Sequence, residues 1–139
     1  MYRKMLVAND GSHGAAAALG VAVDLARKLA AELHMVSVEE LPQLPATIDE
    51  VVEDKRDANH RFATVIAAAE ARARAGRVKL HPRVVVGHAV PTIVELVGRE
   101  GFDLLVVGFM GHSAIYSRLI GGTTDRLVEL APCAVLVVK

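Results

Sequence analysis

The residues with the clearest chemical potential lie between positions 108 and 124. Gly108-Phe109-Met110-Gly111 is followed by nine residues and then by Gly121-Gly122-Thr123-Thr124, so glycines and hydroxyls bracket one loop. Glycine lets backbone N–H groups approach a ligand closely, and a helix that starts after such a loop offers unpaired N–H donors with a dipole favouring anions. Phosphate is the natural guest. The hydroxyls of Thr123 and Thr124 suit two compatible roles, capping the helix or donating to phosphate oxygens. The plain alternative is ordinary turn chemistry, a glycine at a strand end and a Gly-Gly pair before a helix.

A second candidate is the turn Asn9-Asp10-Gly11-Ser12. Asp10 has the chemistry to accept hydrogen bonds from a ribose or to help place a metal ion, and it is equally well explained as a turn and helix-cap residue. Other patterns fail on inspection. Asp10-Gly11-Ser12-His13-Gly14 looks like a nucleophile elbow but has aspartate where that motif needs glycine, and Gly111-His112-Ser113 fails at Ile115. Neither a Walker A lysine nor a G-x-G-x-x-G is present. The histidines at 13, 34, 60, 81, 88 and 112 show no short metal-ligand spacing, and most fall on expected surface or turn positions, so no metal site is expected. Hydrolysis would need a positioned base and an activated water, and only Asp10 and His112 are candidates. No catalytic residue is assigned, and enzymatic activity is expected to be absent or at most slow ATP hydrolysis. Phe109 and Met110, like Ile115 and Tyr116, suit either covering a nucleotide or making a dimer contact.

The elements that must position these residues alternate regularly. Met5 to Ala8 reads as a buried strand, Gly14 to Leu29 as a helix with Ser12 as its N-cap, and Leu33 to Val38 as a second strand. Glu39 to about Pro45 reads as a loop, Ile48 to Gly76 as a long alanine-rich helix, and Val78 to Val86 as a third strand that Pro82 assigns to an edge. A helix from Pro91 to Gly98, a strand from Leu104 to Val107, a helix from Asp125 to Leu130 and a strand from Ala134 to Val138 complete the chain. The strands are continuous apolar runs, which predicts an α/β fold: a mostly parallel, doubly wound sheet with helices on both faces. In such a sheet ligands sit beyond the C-terminal strand ends where the winding reverses. If the first and fourth strands are neighbours, both candidate segments line that crevice.

Composition agrees with this architecture. The 139 residues suit one domain, residues 1–139, built on small aliphatic side chains, since 53% are apolar and only 4% aromatic. Sixteen basic residues balance sixteen acidic ones, so no net field draws the chain to nucleic acid or to an anionic membrane. Cys133 is the lone cysteine, which excludes an internal disulfide framework and fits a reducing compartment. With no secretory or membrane-length apolar run, the expected location is the cytoplasm.

Val7-Ala8-Asn9-Asp10-Gly11-Ser12, Val106-Val107-Gly108 and Ala131-Pro132-Cys133-Ala134-Val135-Leu136-Val137-Val138 resemble the universal stress protein family over essentially the whole chain. The diagnostic element is that family's ATP-binding spacing of glycine, two residues, glycine, nine residues, glycine, then serine or threonine. Gly108, Gly111 and Gly121 satisfy the glycine positions without a shift.

The resemblance implies strand order 3-2-1-4-5, a homodimer paired through the C-terminal strand, and ATP (or ADP or AMP), with or without Mg2+, between strands one and four. It implies that Ala8, Asn9 and Asp10 line the ribose or adenine side, that the Val38 backbone borders adenine, and that Val107 and Gly108 flank base and sugar. Gly111, Gly121, Gly122, Thr123 and Thr124 would surround the phosphates. Two positions depart from the pattern: Ala8 stands where proline is usual, and Gly122 where the hydroxyl residue is expected. The missing hydroxyl forfeits a phosphate contact of about 1 to 3 kcal/mol.

The function so implied is a stress-response regulator whose loop responds to an adenine nucleotide and whose dimer is read by a downstream protein. The alternatives are a slow metal-dependent ATPase and a dimeric interaction module that no longer binds nucleotide.

Overall fold

Met5, Leu6 and Val7 have no solvent exposure, because the strand they form lies in the middle of the sheet. The computed structural model describes residues 1–40, 48–109 and 122–139, with backbone alone for 48–59 and 61. Its elements are β1 (Lys4–Ala8), α1 (His13–Leu29), β2 (Glu32–Glu40), α2 (Ile48–Ala75), β3 (Leu80–Gly87), α3 (Ala89–Glu100), β4 (Leu104–Gly108), α4 (Thr123–Leu130) and β5 (Ala134–Val138). The five strands are parallel in the order β3-β2-β1-β4-β5, as expected.

Both faces of β1 are buried, so its apolar run is continuous and successive side chains feed opposite cores. Met5 and Val7 join Leu33, Met35 and Val106 beneath α1 and α2, where Ala18, Leu19, Ala22, Val23, Ala69 and Ala73 pack. Leu6 joins Val36, Leu105 and Val107 beneath α3 and α4, against Val90, Ile93, Leu96, Val97 and Leu127. The small residues of α1 are the reason the helix sits close to the strands. Burying Leu19 and Val23 alone contributes about 1.5 to 3 kcal/mol each.

The chain winds outward from β1 through β2 to β3, then returns to place β4 on the other side of β1. The reversal point is therefore the gap between the C-terminal ends of β1 and β4. Pro82 does lie on an edge strand, opposite Met35.

Three boundaries differ from the sequence reading. Glu39 and Glu40, read as loop, continue β2 because they pair with Val86 and Gly87 of β3. Glu40 has a further use, since its Oε1 accepts the Ala89 amide at 3.0 Å and so closes the first turn of α3, whose cap residue His88 makes no side-chain cap bond. Helix α3 begins at Ala89, which leaves Pro91 inside the first turn, where no helical N–H is forfeited. Helix α4 begins at Thr123, immediately after Gly122, so both threonines belong to it. Among the described residues no helix is long and apolar enough to cross a membrane.

Candidate functional site

Each strand that borders the reversal point ends in a turn built for close approach. At the end of β1 the Asn9 amide donates to the Val36 carbonyl at 2.9 Å, which prolongs the β1–β2 pairing by one residue. The Asn9 carbonyl accepts the Ser37 hydroxyl at 2.7 Å. Asn9 Oδ1 accepts the Gly11 amide at 2.9 Å, and its Nδ2 donates to the Met35 sulfur at 3.4 Å. Asn9 is 6% exposed and spent on the protein itself, so it shapes the turn. Gly11 follows with φ +86°, a left-handed conformation that side chains resist. Asp10 is exposed, and its Oδ1 accepts the Ser12 amide at 3.0 Å. The Ser12 hydroxyl accepts the Ala15 amide at 3.1 Å and caps α1, the role read from the sequence.

At the end of β4, Gly108 lies against the first turn of α1. A Cβ there would stand 2.6 Å from the Gly14 carbonyl carbon and 2.7 Å from its oxygen. The packing of α1 on β4 therefore requires glycine at 108, independently of any ligand. The Gly108 carbonyl accepts the Thr124 hydroxyl at 2.7 Å, which ties α4 to the strand. That bond takes the only hydroxyl proton Thr124 has, leaving the exposed Thr123 as the hydroxyl donor available to a guest. Gly122 is the cap residue of α4 and has no side chain with which to close the helix's first turn.

The structure thus brings Ala8, Asn9, Asp10, Val107, Gly108, Gly122, Thr123 and Thr124 around one crevice, the sheet's reversal point. Val38 sits near the C-terminal end of β2, one strand further out, opposite Val85. The side chain of Val107 is 3% exposed and belongs to the core beneath α3, so only its backbone faces outward. Gly111, Gly121 and His112 lie outside the described residues, as do Met110, Ile115 and Tyr116. Sequence reasoning missed Ser37; the signal was a polar residue interrupting the apolar run of β2 just where the neighbouring strand ends.

The site has one amide-rich helix end, one hydroxyl and one exposed carboxylate on the opposite wall. That set can hold a polyphosphate by backbone donors and a sugar hydroxyl by a carboxylate. Cys133 takes no part in it: burial pushes its thiol pKa up, outweighing a backbone hydrogen bond at Leu105, which marks an inert cysteine.

A model of the Universal stress protein family matches residues 1–139. A universal stress protein of Bacillus subtilis is 28% identical, with all of this chain and all of that protein covered. Among solved structures, the universal stress protein UspA from Lactobacillus plantarum superposes with TM-score 0.84 at 26% identity, covering 99% of this chain and 98% of that one. A universal stress protein crystallised in complex with cAMP superposes with TM-score 0.79 at 28% identity, covering 99% and 97%.

Proposed function

Because the chain belongs to the universal stress protein family, we propose that it is an adenine-nucleotide-binding regulator, a single domain over residues 1–139 acting in the cytoplasm as a homodimer. The observation that carries this reading is the meeting of Gly108 and Thr124 at the sheet's reversal point, which opens the uncapped end of α4 toward the Asp10 turn. A similar protein at 28% identity holds cAMP, and an adenine nucleotide suits the same chemistry here.

In this reading the amides of Thr123 and its neighbours and the Thr123 hydroxyl meet the phosphates, aided by the helix dipole. Gly111 and Gly121 are assigned to the same phosphates. Asp10 takes the ribose hydroxyls, and the backbone of Ala8, Val38 and Val107 borders the base. ATP is the proposed ligand, with ADP and AMP as weaker ones. A magnesium ion would arrive on the phosphates with Asp10 as the nearby carboxylate, supplying charge neutralisation.

Dimerisation is proposed through β5. It is an edge strand whose outer backbone groups have no partner strand in the sheet, and α4 beside it exposes Val128 (51%) and Leu130 (49%). Nucleotide binding would order the loop from Gly108 to Thr124 next to that edge, giving a downstream protein a surface that changes with occupancy.

The test is calorimetric titration of the purified protein with ATP, ADP, AMP and cAMP, together with mass spectrometry of protein isolated under native conditions. A retained adenine nucleotide, or saturable heat that Thr123→Val and Asp10→Ala diminish, supports the reading. No heat and no thermal shift with any of the four would leave a pure interaction module.

A further inference from the structure

We propose that Glu32, His34 and His81 form a binding site for a zinc-class divalent metal ion at the end of the sheet opposite the glycine loop. The parallel register places His34 of β2 directly beside His81 of β3. Glu32 lies two residues before His34 on the same strand and therefore on the same face. One ligand atom from each of the three lies within 4.8 Å of the other two. These residues stand at the N-terminal ends of their strands, so the whole length of the sheet separates them from Asp10 and Gly108.

His34 is the fixed member of the set. It is 8% exposed, its ring stacks on that of His81 with centroids 4.7 Å apart, and the edge of Phe102 meets it at 5.1 Å. Its Nε2 is 2.8 Å from Glu32 Oε1, and its Nδ1 is 3.4 Å from Arg83 Nη2. Since an arginine can only donate, the neutral ring carries its proton on Nε2 and gives it to Glu32. A metal ion would take the place of that proton. The ring proton would then sit on Nδ1, opening the long Arg83 contact, while Arg83 stays paired with Glu100, whose Oε1 accepts Nη2 at 2.9 Å.

The donor set selects the class of ion. Two imidazole nitrogens and one carboxylate oxygen suit zinc, and cobalt or nickel as its surrogates, whereas calcium and magnesium require oxygen ligands. Zinc bonds of about 2.0 to 2.2 Å in a tetrahedron put ligand atoms roughly 3.4 Å apart. The His34–Glu32 pair must open slightly and His81 must close in. Both moving side chains have the room, since the Glu32 side chain is 51% exposed and His81 is only partly buried. Three protein ligands leave one coordination position for water or an anion. Glu32 and His81 also line a groove of about 440 Å³, which provides the ion's entry path. Arg27, Arg77 and Lys79 form part of that groove; all three are exposed, so solvent screens their repulsion of a cation and they would favour an anion in the open position.

The experiment uses untagged, metal-stripped full-length protein, titrated with Zn(II) against a chromophoric chelator and with Co(II) by its visible spectrum. The expected result is one ion per chain. His81→Ala and Glu32→Gln should each weaken binding by more than about tenfold, the lower end of what is lost even when an indirect partner of a metal is removed. His88→Ala serves as the control; that exposed histidine has Glu40 at 3.4 Å but belongs to no three-ligand cluster among the described residues, and its loss should change nothing. The variants are checked by circular dichroism. Anomalous scattering from zinc-soaked crystals of the unsubstituted chain keeps the test open should a variant fail to fold. Absence of binding by either ion, binding indifferent to both substitutions, or an ion located elsewhere on the chain would overturn the proposal. Nucleotide affinity measured with and without zinc separates this site from the one between β1 and β4, because the two proposals stand or fall independently.

Discussion

The Thr124 hydroxyl donates to the Gly108 carbonyl across 2.7 Å, and through it the first turn of α4 is held against the end of β4. Gly108 O is the last strand carbonyl before the glycine loop, and Thr124 is the second residue of the helix that follows it. The two ends of that loop are therefore joined by a side chain.

Thr124→Val keeps the shape of the side chain and removes this bond. The expected loss is about 1 kcal/mol of stability, typical of one net hydrogen bond, measured as a shift in the urea midpoint at constant slope. Nucleotide affinity should fall several-fold with it, because the helix end no longer has a fixed distance from the strand, while Thr124→Ser should retain both. An unchanged urea midpoint in the valine variant would mean that the bond carries no net stability.

Gly108→Ala tests whether packing alone demands the glycine. The added methyl meets the Gly14 backbone at 2.6 to 2.7 Å, and backbone cannot swing away as a side-chain tip can. Overpacking of this kind costs about 1 to 3 kcal/mol. The loss should appear in the thermal unfolding of nucleotide-free protein. If the variant is as stable as the parent and only binding suffers, the ligand and not α1 is the reason for the glycine.

The architecture was legible because the strands advertise themselves. A parallel strand buried on both faces must be apolar throughout, so Met5–Ala8 and Leu104–Val107 stand out as runs, and Pro82 marks an edge because a central strand cannot spare its N–H. The glycine spacing pointed to the crevice between β1 and β4, which the strand order then placed at the winding reversal. What stayed hidden depends on register. Glu39 and Glu40 look like loop because they are charged, yet they pair with β3. His34 and His81 are separated in sequence by the whole of α2, and no spacing rule along the chain reveals that they stack. Asn9 likewise reads as a turn residue, while its use of Ser37, Val36 and Met35 exists only once β2 lies beside it.

Ser37→Ala should loosen the β1–α1 turn without touching any ligand. Ser37 is fully buried, and its hydroxyl is directed to the Asn9 carbonyl. Removing the donor leaves that carbonyl short of a partner, at a cost of about 1 kcal/mol, and Asn9→Ala should cost more, about 1 to 3 kcal/mol, because the Gly11 amide loses its acceptor too. Hydrogen exchange at Gly11 and Ser12 is the direct measurement. Faster exchange there in both variants, with protection of β4 unchanged, is the expected pattern; uniform acceleration throughout the sheet would show that the network supports the whole fold and not the turn.

Acid should weaken the fold through Glu100. The Arg83 guanidinium, hydrogen-bonded to Glu100 through both nitrogens, holds its carboxyl below the ordinary value of 4.5 against the opposing effect of burial, with Lys4 and Arg99 adding to the attraction. The carboxyl of Glu32 is also lowered, chiefly by its hydrogen bond with His34. A group whose pKa is depressed on folding binds its proton more readily in the unfolded chain, so its stabilising contribution is complete above 4.5 and is lost as the pH falls through the lower folded value. Glu100→Gln removes that contribution at neutral pH, by about 1 kcal/mol for a partly exposed pair, and should flatten the acid limb of the stability curve. Chemical unfolding of parent and variant between pH 7 and about pH 3 measures both effects, and the difference between the two proteins should shrink as the pH drops. A difference that stays constant across the whole range would assign the loss to packing of the side chain and not to its charge.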